Sequence, residues 1–316
     1  MNKKFNILVT GCGGDIGQSI GKILLKSKYT KNLFGIDISE KNAAQFIYPN
    51  FSLGLRCSHP DYLQSLESFI KSHNIDLIIP ISEPELRFFS DQKILNKIGR
   101  ANMITASSLA LEIGFDKFKT ADFLKREHLP FPETFLAKSL KEINNFPVIL
   151  KSRTGSGSKD IHKINSNEEF LFYTKNNLDE YIVQEYICDN EGEFTCGVFR
   201  SNSKEIRTQI FKRKLSSGYS GYGEEIENIN ITNLLEKIAM KLDLTGSINV
   251  QLRIHENIPK IFEINPRFSS TVLFRHLFGF EDLIWSIEDS MGCILSDNRS
   301  NVIGKKFYKG FAEYTN

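Results

Sequence analysis

Ser247-Ile248-Asn249-Val250-Gln251-Leu252-Arg253, followed after a short turn by Phe262-Glu263-Ile264-Asn265-Pro266-Arg267, alternates apolar and polar residues with the period of two that marks half-buried strands. If the two segments form a hairpin centred on Asn257, position 251 lies opposite 263 and position 249 opposite 265. Opposed residues carry Cβ atoms about 5 Å apart on the same face. Gln251, Glu263 and Asn265 then present oxygens around one point with Arg267 beside them, while Phe262, Ile264 and Pro266 turn the other way. With one carboxylate the set is a poor isolated cage for a hard cation, but it suits Mg²⁺ when phosphates supply the remaining negative ligands. The competing reading is a solvated polar strand face.

Around this hairpin, the chain from Pro147 onward is rich in strands: Val148 to Lys151, Tyr181 to Tyr186, Phe194 to Phe199, Ile206 to Phe211, Ser247 to Ile254 and Lys260 to Asn265, with one helix at Ile231 to Leu242. That mixture predicts an antiparallel α+β region. Its first strand ends in Lys151 and runs into Ser152-Arg153-Thr154-Gly155-Ser156-Gly157-Ser158-Lys159. Backbone amides of such a small-residue loop can fold over phosphate oxygens while the lysine supplies a point charge. An ordinary exposed loop has the same composition. The Gly/Ser/Tyr-rich stretch from Ser216 to Gly223 predicts a flexible loop. Lys212-Arg213-Lys214 before it has the composition of a solvated charge run.

The first hundred residues follow a different pattern. Phe5 to Val9, Leu33 to Ile36 and Asp76 to Ile81 read as strands, Asp15 to Leu25 and Tyr62 to Lys71 as helices. This alternation predicts a parallel, doubly wound sheet, with a boundary between about Gly99 and Ala106 and a further helix at Asp116 to Glu127. Thr10-Gly11-Cys12-Gly13-Gly14-Asp15-Ile16-Gly17 lies between a strand and a helix, and Asp37 closes the second strand where a ribose-binding acid would sit in a dinucleotide site. Read alone, this motif points to NAD(P), or to glycines that only let the first helix pack closely. No tyrosine is followed four residues later by lysine, so the acid/base pair usual with this glycine spacing is missing.

Of the 316 residues, 41% are apolar and 25% charged, the proportions of a globular protein, and the length suggests two or three domains. Forty basic residues against 38 acidic give a net charge of +2, which argues against nucleic acid as a partner. Apolar runs such as Leu77 to Ile81 fall far short of the ~20 residues that span a bilayer, and Ile7-Leu8-Val9 is too short for a signal core, so a cytoplasmic protein without a membrane partner is expected. Five scattered cysteines without a Cys-x-x-Cys pair predict reduced thiols and no zinc.

Together these segments resemble the ATP-grasp superfamily, and within it one synthetase half of the carbamoyl-phosphate synthase large subunit. The resemblance runs over nearly the whole chain: the glycine turn, Ile79-Pro80-Ile81-Ser82-Glu83-Pro84-Glu85-Leu86, Asp116-Lys117-Phe118, Val148 to Gly157, Val183-Gln184-Glu185-Tyr186-Ile187, Glu191-Gly192-Glu193-Phe194-Thr195, and Gln251 with Glu263 to Arg267. It implies a Rossmann-like N-terminal domain at 1–104, an ATP-grasp N-lobe at 105–180 and a C-lobe with the metal site at 181–316. It also implies that Lys117 and Lys151 hold ATP phosphates under a loop containing Ser156 and Gly157. Gln184, Glu185, Tyr186 and Ile187 would meet the adenine, Glu185 and Glu193 lying near base and ribose. Gln251, Glu263 and Asn265 would ligate Mg²⁺ or Mn²⁺, Arg267 would stabilise charge on the transferring phosphoryl group with Lys151 as a further catalytic residue, and a basic residue of 212–214, Arg213 the best single choice, would face phosphate or substrate. The 152–159 and 216–223 loops would close as lids.

The activity so implied is ADP-forming ligation of a small carboxylate to an amine or other nucleophile through an acyl phosphate. Absence of glutamine-hydrolysing and biotin-carrier sequences favours a stand-alone ligase, with a homodimer as the default assembly. Two alternatives stay open: an NAD(P)-dependent nucleotide-sugar oxidoreductase or epimerase, and a non-catalytic nucleotide-binding regulator. Arg275 and His276 lie where they reach an acyl acceptor or simply decorate a helix surface.

Overall fold

Six consecutive buried residues, Phe5-Asn6-Ile7-Leu8-Val9-Thr10, form β1 (Phe5–Thr10), and burial along its whole length places it inside a sheet covered on both faces. The computed structural model describes residues 3–155, 160–175, 177–216, 218–298, 303–310 and 312–315. β2 (Thr30–Asp37), β3 (Asn50–Leu53), β4 (Leu77–Pro80) and β6 (Ala101–Met103) join β1 in parallel, with β5 (Lys97–Ile98) antiparallel at the edge, in the order β3-β2-β1-β4-β6-β5. Because β2 and β4 flank β1 on opposite sides, the strand order reverses there and leaves a crevice at the C-terminal ends of β1 and β4. α1 (Asp15–Leu24) packs on one face, while α2 (Tyr62–Ser72) and α3 (Glu83–Asp91) pack on the other. At Gly17 a Cβ would stand 2.6 Å from the Cα of Cys12, so only glycine lets α1 approach the turn after β1 this closely.

α4 (Ser108–Gly114) and α5 (Lys117–Arg126) follow, the second begun by Asp116, whose carboxylate accepts from the amides of Phe118 and Lys119. The second sheet, order β7-β10-β8-β9, comprises β7 (Thr134–Leu136), β8 (Val148–Ser152), β9 (Ile161–Ile164) and β10 (Tyr181–Glu185), covered by α6 (Asn167–Thr174). The third, order β15-β14-β11-β12-β13-β16, comprises β11 (Glu193–Arg200), β12 (Ile206–Ser216), β13 (Tyr219–Glu225), β14 (Gly246–His255), β15 (Ile258–Asn265) and β16 (Lys306–Tyr308). α7 (Ile229–Lys241), α4 and α5 fill one of its faces, so 106–129 belong to the core of the third sheet rather than the second. α8 (Val272–Leu277) and α9 (Asp282–Ser290) return to the first sheet, beside α1. The buried cores draw on residues from both sides of positions 104 and 180.

Two expectations are corrected. The described residues of the 216–223 stretch, which leave out residue 217, are mostly strand rather than loop: β12 runs to Ser216 and β13 starts at Tyr219, with Lys214 opposite Tyr222 and Arg213 opposite Gly223. Composition suggested mobility, but Tyr222 packs on Tyr308 with ring centroids 5.2 Å apart, and pairing with β16 completes the strand. The β14–β15 hairpin turns on Glu256 and Asn257, both left-handed at φ 53° and 63°, the backbone of a two-residue type I′ turn. Its centre therefore lies half a residue before Asn257. A β-bulge restores the register, since Leu252 pairs with Ile261 and Gln251 with Glu263, leaving Phe262 as the extra residue. For that reason Phe262 faces the same side as Glu263, not the core.

Among the described residues no helix is long and apolar enough to cross a membrane.

Candidate active site

The third sheet is apolar towards α7, and the cleft end of its other face is polar because the strands alternate, while Phe199 and Phe211 on that face pack against the α8–α9 region. In β14, Ile248, Val250 and Leu252 are fully buried, and Asn249, Gln251 and Arg253 point away from them into a cavity of about 1120 Å³. β11 adds Glu193 and Thr195, β12 adds Arg213, and β15 adds Phe262, Glu263 and Asn265. The pairing Asn249–Asn265 and Gln251–Glu263 is the one the alternation implies.

Hydrogen bonds lock this floor. Arg213 donates to Glu193 at 2.8 Å, to Gln251 Oε1 at 2.6 Å and to Ser220 at 3.1 Å. Arg253 donates to the other Glu193 oxygen at 2.7 Å and to the carbonyl of Ile187 at 2.6 Å. Arg267 reaches Asn265 Oδ1 at 3.3 Å and the Phe268 carbonyl at 2.9 Å, and its burial lowers its pKa from the ordinary arginine value, Glu263 opposing that shift. Asn249 Oδ1 accepts from Thr195 at 2.8 Å and from Arg275.

The roof comes from the second sheet and from α5. Lys151, 4% exposed, donates to the Phe262 carbonyl at 3.3 Å. Burial pushes its ammonium down to about 8, against the attraction of Glu263. Lys117 stands at the N-terminus of α5, where its own amide donates to the Arg153 carbonyl at 3.0 Å and its ammonium to the Gly155 carbonyl at 2.8 Å. The same ammonium lies 3.9 Å from Glu263. The donors facing the cavity are hard oxygens, and among the described residues no group of three or more His, Cys, Asp or Glu gathers. Gln251, Glu263 and Asn265 therefore fit a divalent cation that brings further oxygen ligands on phosphate.

Of the residues singled out in the sequence, Lys117, Lys151, Gln184, Glu185, Ile187, Glu193, Arg213, Gln251, Glu263, Asn265 and Arg267 line this one cavity. Tyr186 does not; Lys163 sits 4.2 Å from its ring centroid. Ser156 and Gly157 lie outside the described residues. Both oxygens of Glu185 accept from Lys260, at 2.7 and 2.9 Å, and both of Glu193 are taken by guanidinium groups, so these acids brace the wall. Sequence reasoning missed Asn249 and Arg253 as site residues, although the alternation that exposes Gln251 exposes both. Arg275 neither reaches an acceptor nor decorates a surface: it is fully buried, paired with Asp282 at 3.2 Å. Asp37, expected to hold a ribose, accepts the amide of Gly13 at 2.7 Å.

Residues 115–271 match the family model of the ATP-grasp domain. The chain is 27% identical over 145 residues to the coenzyme gamma-F420-2:alpha-L-glutamate ligase of Methanococcus maripaludis, covering 40% of this chain and 48% of that protein. It is 25% identical over 252 residues to the carbamoyl phosphate synthase large chain of Helicobacter pylori, covering 68% of this chain and 22% of that one. The chain thus spans about half the length of the first relative and about a fifth of the second. Its fold is similar to that of an N5-carboxyaminoimidazole ribonucleotide synthetase solved with ADP, at TM-score 0.76 and 15% identity over 97% of this chain and 81% of that one. The biotin carboxylase domain of Hydrogenobacter thermophilus 2-oxoglutarate carboxylase, solved with MgADP and bicarbonate, gives TM-score 0.73 at 14% identity, covering 96% of this chain and 73% of that chain.

Proposed function

We propose that this chain, a member of the ATP-grasp superfamily through the domain at residues 115–271, is an ADP-forming ligase that joins a small carboxylic acid to an amine or related nucleophile. One observation carries the reading: Lys117 and Lys151 on the roof and Arg213, Arg253 and Arg267 beside Gln251, Glu263 and Asn265 on the floor line a single cavity. Cations around a hard-oxygen donor set are what a nucleoside triphosphate with a divalent metal requires, and phosphoryl transfer asks chiefly for positioning and charge neutralisation.

In this reading the acid's carboxylate oxygen attacks the γ-phosphorus, the bond to the β-phosphate oxygen breaks, and ADP leaves. The amine nitrogen then attacks the acyl carbon, phosphate departs with the carbon–oxygen electron pair, and the amine releases a proton. Lys151 and Lys117 hold phosphate oxygens, and Arg267 offsets charge on the transferring group. Arg213 orients the Gln251 carboxamide. The carbonyl of Phe262 holds the Lys151 ammonium in place. Gln251, Glu263 and Asn265 would hold Mg²⁺ or Mn²⁺, which supplies Lewis-acid neutralisation of the phosphates. Holding both substrates in one cleft contributes through proximity. Domain limits near 104 and 180, a homodimeric assembly and a cytoplasmic setting in which the five free cysteines stay reduced belong to the same proposal.

The test is an ADP-release screen over amino acids, hydroxy acids and sugar acids with hydroxylamine as trap and Glu263→Ala as blank. The expected result is a hydroxamate and ADP with one class of acid. AMP and pyrophosphate as products, or nucleotide affinity indifferent to magnesium, would overturn the assignment.

A further inference from the structure

The cleft continues past the nucleotide residues to the C-terminal edge of the first sheet, at the switch point between β1 and β4. The chemistry reverses along the way. Cationic side chains surround the phosphate end, whereas the charged residues lining the far end are Asp15, Asp37 and Glu85, with Arg56 exposed at the rim. Asp15 is joined by Lys309, which leaves Asp37 and Glu85. Glu85 is 6% exposed and accepts from the hydroxyls of Thr10 at 2.7 Å, Ser82 at 3.4 Å and Tyr62. Its partners are hydroxyls rather than a base, and burial raises its pKa.

In the glycine turn the Gly13 amide is already taken. Asp37 Oδ2 accepts the Gly13 amide at 2.7 Å, and a Cβ on Gly13 would lie 2.6 Å from Asn42 Nδ2 and 2.8 Å from that carboxylate oxygen. The chain's own anion occupies the place where a bound phosphate would meet this amide, and a second anion there would be repelled. The walls are apolar: Ile36, Ile38, Leu53, Leu55, Leu66 and Phe69 line this end. Ile38 and Leu53 are 49% and 58% exposed, large apolar surface turned to a cavity rather than to a core.

We propose that the Asp37–Glu85 end of the cleft binds the nucleophile as a primary amine carried on an apolar body without a phosphate group. Asp37 and Glu85 receive its N–H hydrogens, and the Ile38–Leu53 wall covers its hydrocarbon. The inference rests on the ligase reading for the word nucleophile, but its ligand chemistry stands on the residues alone.

3-Methylbutylamine and 3-methylbutyl phosphate share one apolar body and differ in the group presented. Titrated into the full chain at saturating MgADP, which occupies the cationic end, and followed by ligand-detected NMR, the amine is expected to bind at least about tenfold tighter than the phosphate ester. Glu85→Gln should weaken the amine by about tenfold, and Ile38→Ala, at an exposed position where folding is not at stake, by roughly threefold, with MgADP affinity unchanged in both. An ester that binds as well as the amine, an amine that does not bind, or amine affinity unaltered by Ile38→Ala overturns the proposal. Failure of the wild-type chain to bind MgADP overturns the ligase reading instead, and the amine-to-ester ratio still decides this one.

Discussion

The ammonium of Lys151 donates to the main-chain carbonyl of Phe262 at 3.3 Å, and this bond ties the second sheet to the third across the cleft. The acceptor is available because Phe262 is the extra residue of a β-bulge, which breaks the β14–β15 ladder one position before Glu263. One irregularity thus serves two ends: it corrects the register set by the Glu256–Asn257 turn, and it frees a carbonyl for the buried lysine.

Burial holds Lys151 at about 8, below the ordinary lysine value, so the free chain loses its ammonium as pH rises through that range. Phosphate binding favours the charged form. ADP affinity measured by calorimetry without metal should be flat below pH 7 and fall with a limiting slope of about tenfold per pH unit above 8. Folding stability should move oppositely, rising between pH 8 and the ordinary lysine range, because there the unfolded chain binds the extra proton. Lys151→Gln should weaken ADP and abolish the slope; a slope retained in that variant would assign it to another group.

Glu263 is the single carboxylate in the donor set formed with Gln251 and Asn265, so it carries the set's charge. Glu263→Gln keeps the shape and removes that charge. ADP affinity in the presence of Mg²⁺ should drop by about tenfold or more, while affinity in EDTA stays near that of the wild type. Equal losses under both conditions would place Glu263 outside the metal site.

Much of this site was legible because alternation with period two is a local property. Once Ile248, Val250 and Leu252 are assigned to a core, Asn249, Gln251 and Arg253 must share the opposite face. The Gln251–Glu263 pairing came out right although the assumed turn centre was displaced, since bulge and displacement cancel at that position. What the chain hides is long-range. Nothing near Arg275 announces that α8 and α9 fold back onto the first sheet, carrying that guanidinium against β14 and β11 instead of into solvent. The Ser216 to Gly223 stretch misled because composition reports local preference, whereas β13 is held by its neighbours β12 and β16.

Arg213 bridges Glu193, Ser220 and Gln251 with one planar group, and a lysine ammonium has neither the fork nor the reach for all three. Arg213→Lys preserves the charge and should leave the circular dichroism spectrum unchanged. The expected change is in turnover: ADP formation in the hydroxylamine assay should fall by roughly 100-fold, about 2.7 kcal/mol, with a smaller change in the KM for ATP. Wild-type turnover in this variant would mean that the charge alone matters and the orientation of Gln251 does not.

Arg275 and Asp282 are 0% and 1% exposed, and each is tied to β14, Arg275 to the carboxamide of Asn249 and Asp282 to the hydroxyl of Ser247 at 2.7 Å. Arg275→Met strands a buried carboxylate and should cost about 3–5 kcal/mol in urea unfolding. Adding Asp282→Leu removes the stranded charge and should recover much of that loss, because a buried ion pair replaced on both sides by apolar groups is often near neutral. Catalysis should not recover with stability. Asn249 faces the cleft beside Gln251 and across from Asn265, and in the double variant its carboxamide loses the Arg275 donor and, among the described residues, keeps the Thr195 hydroxyl. A stable double variant with wild-type ADP formation would make the pair purely structural, whereas a stable, slow one makes Arg275 a positioning residue for the floor of the site.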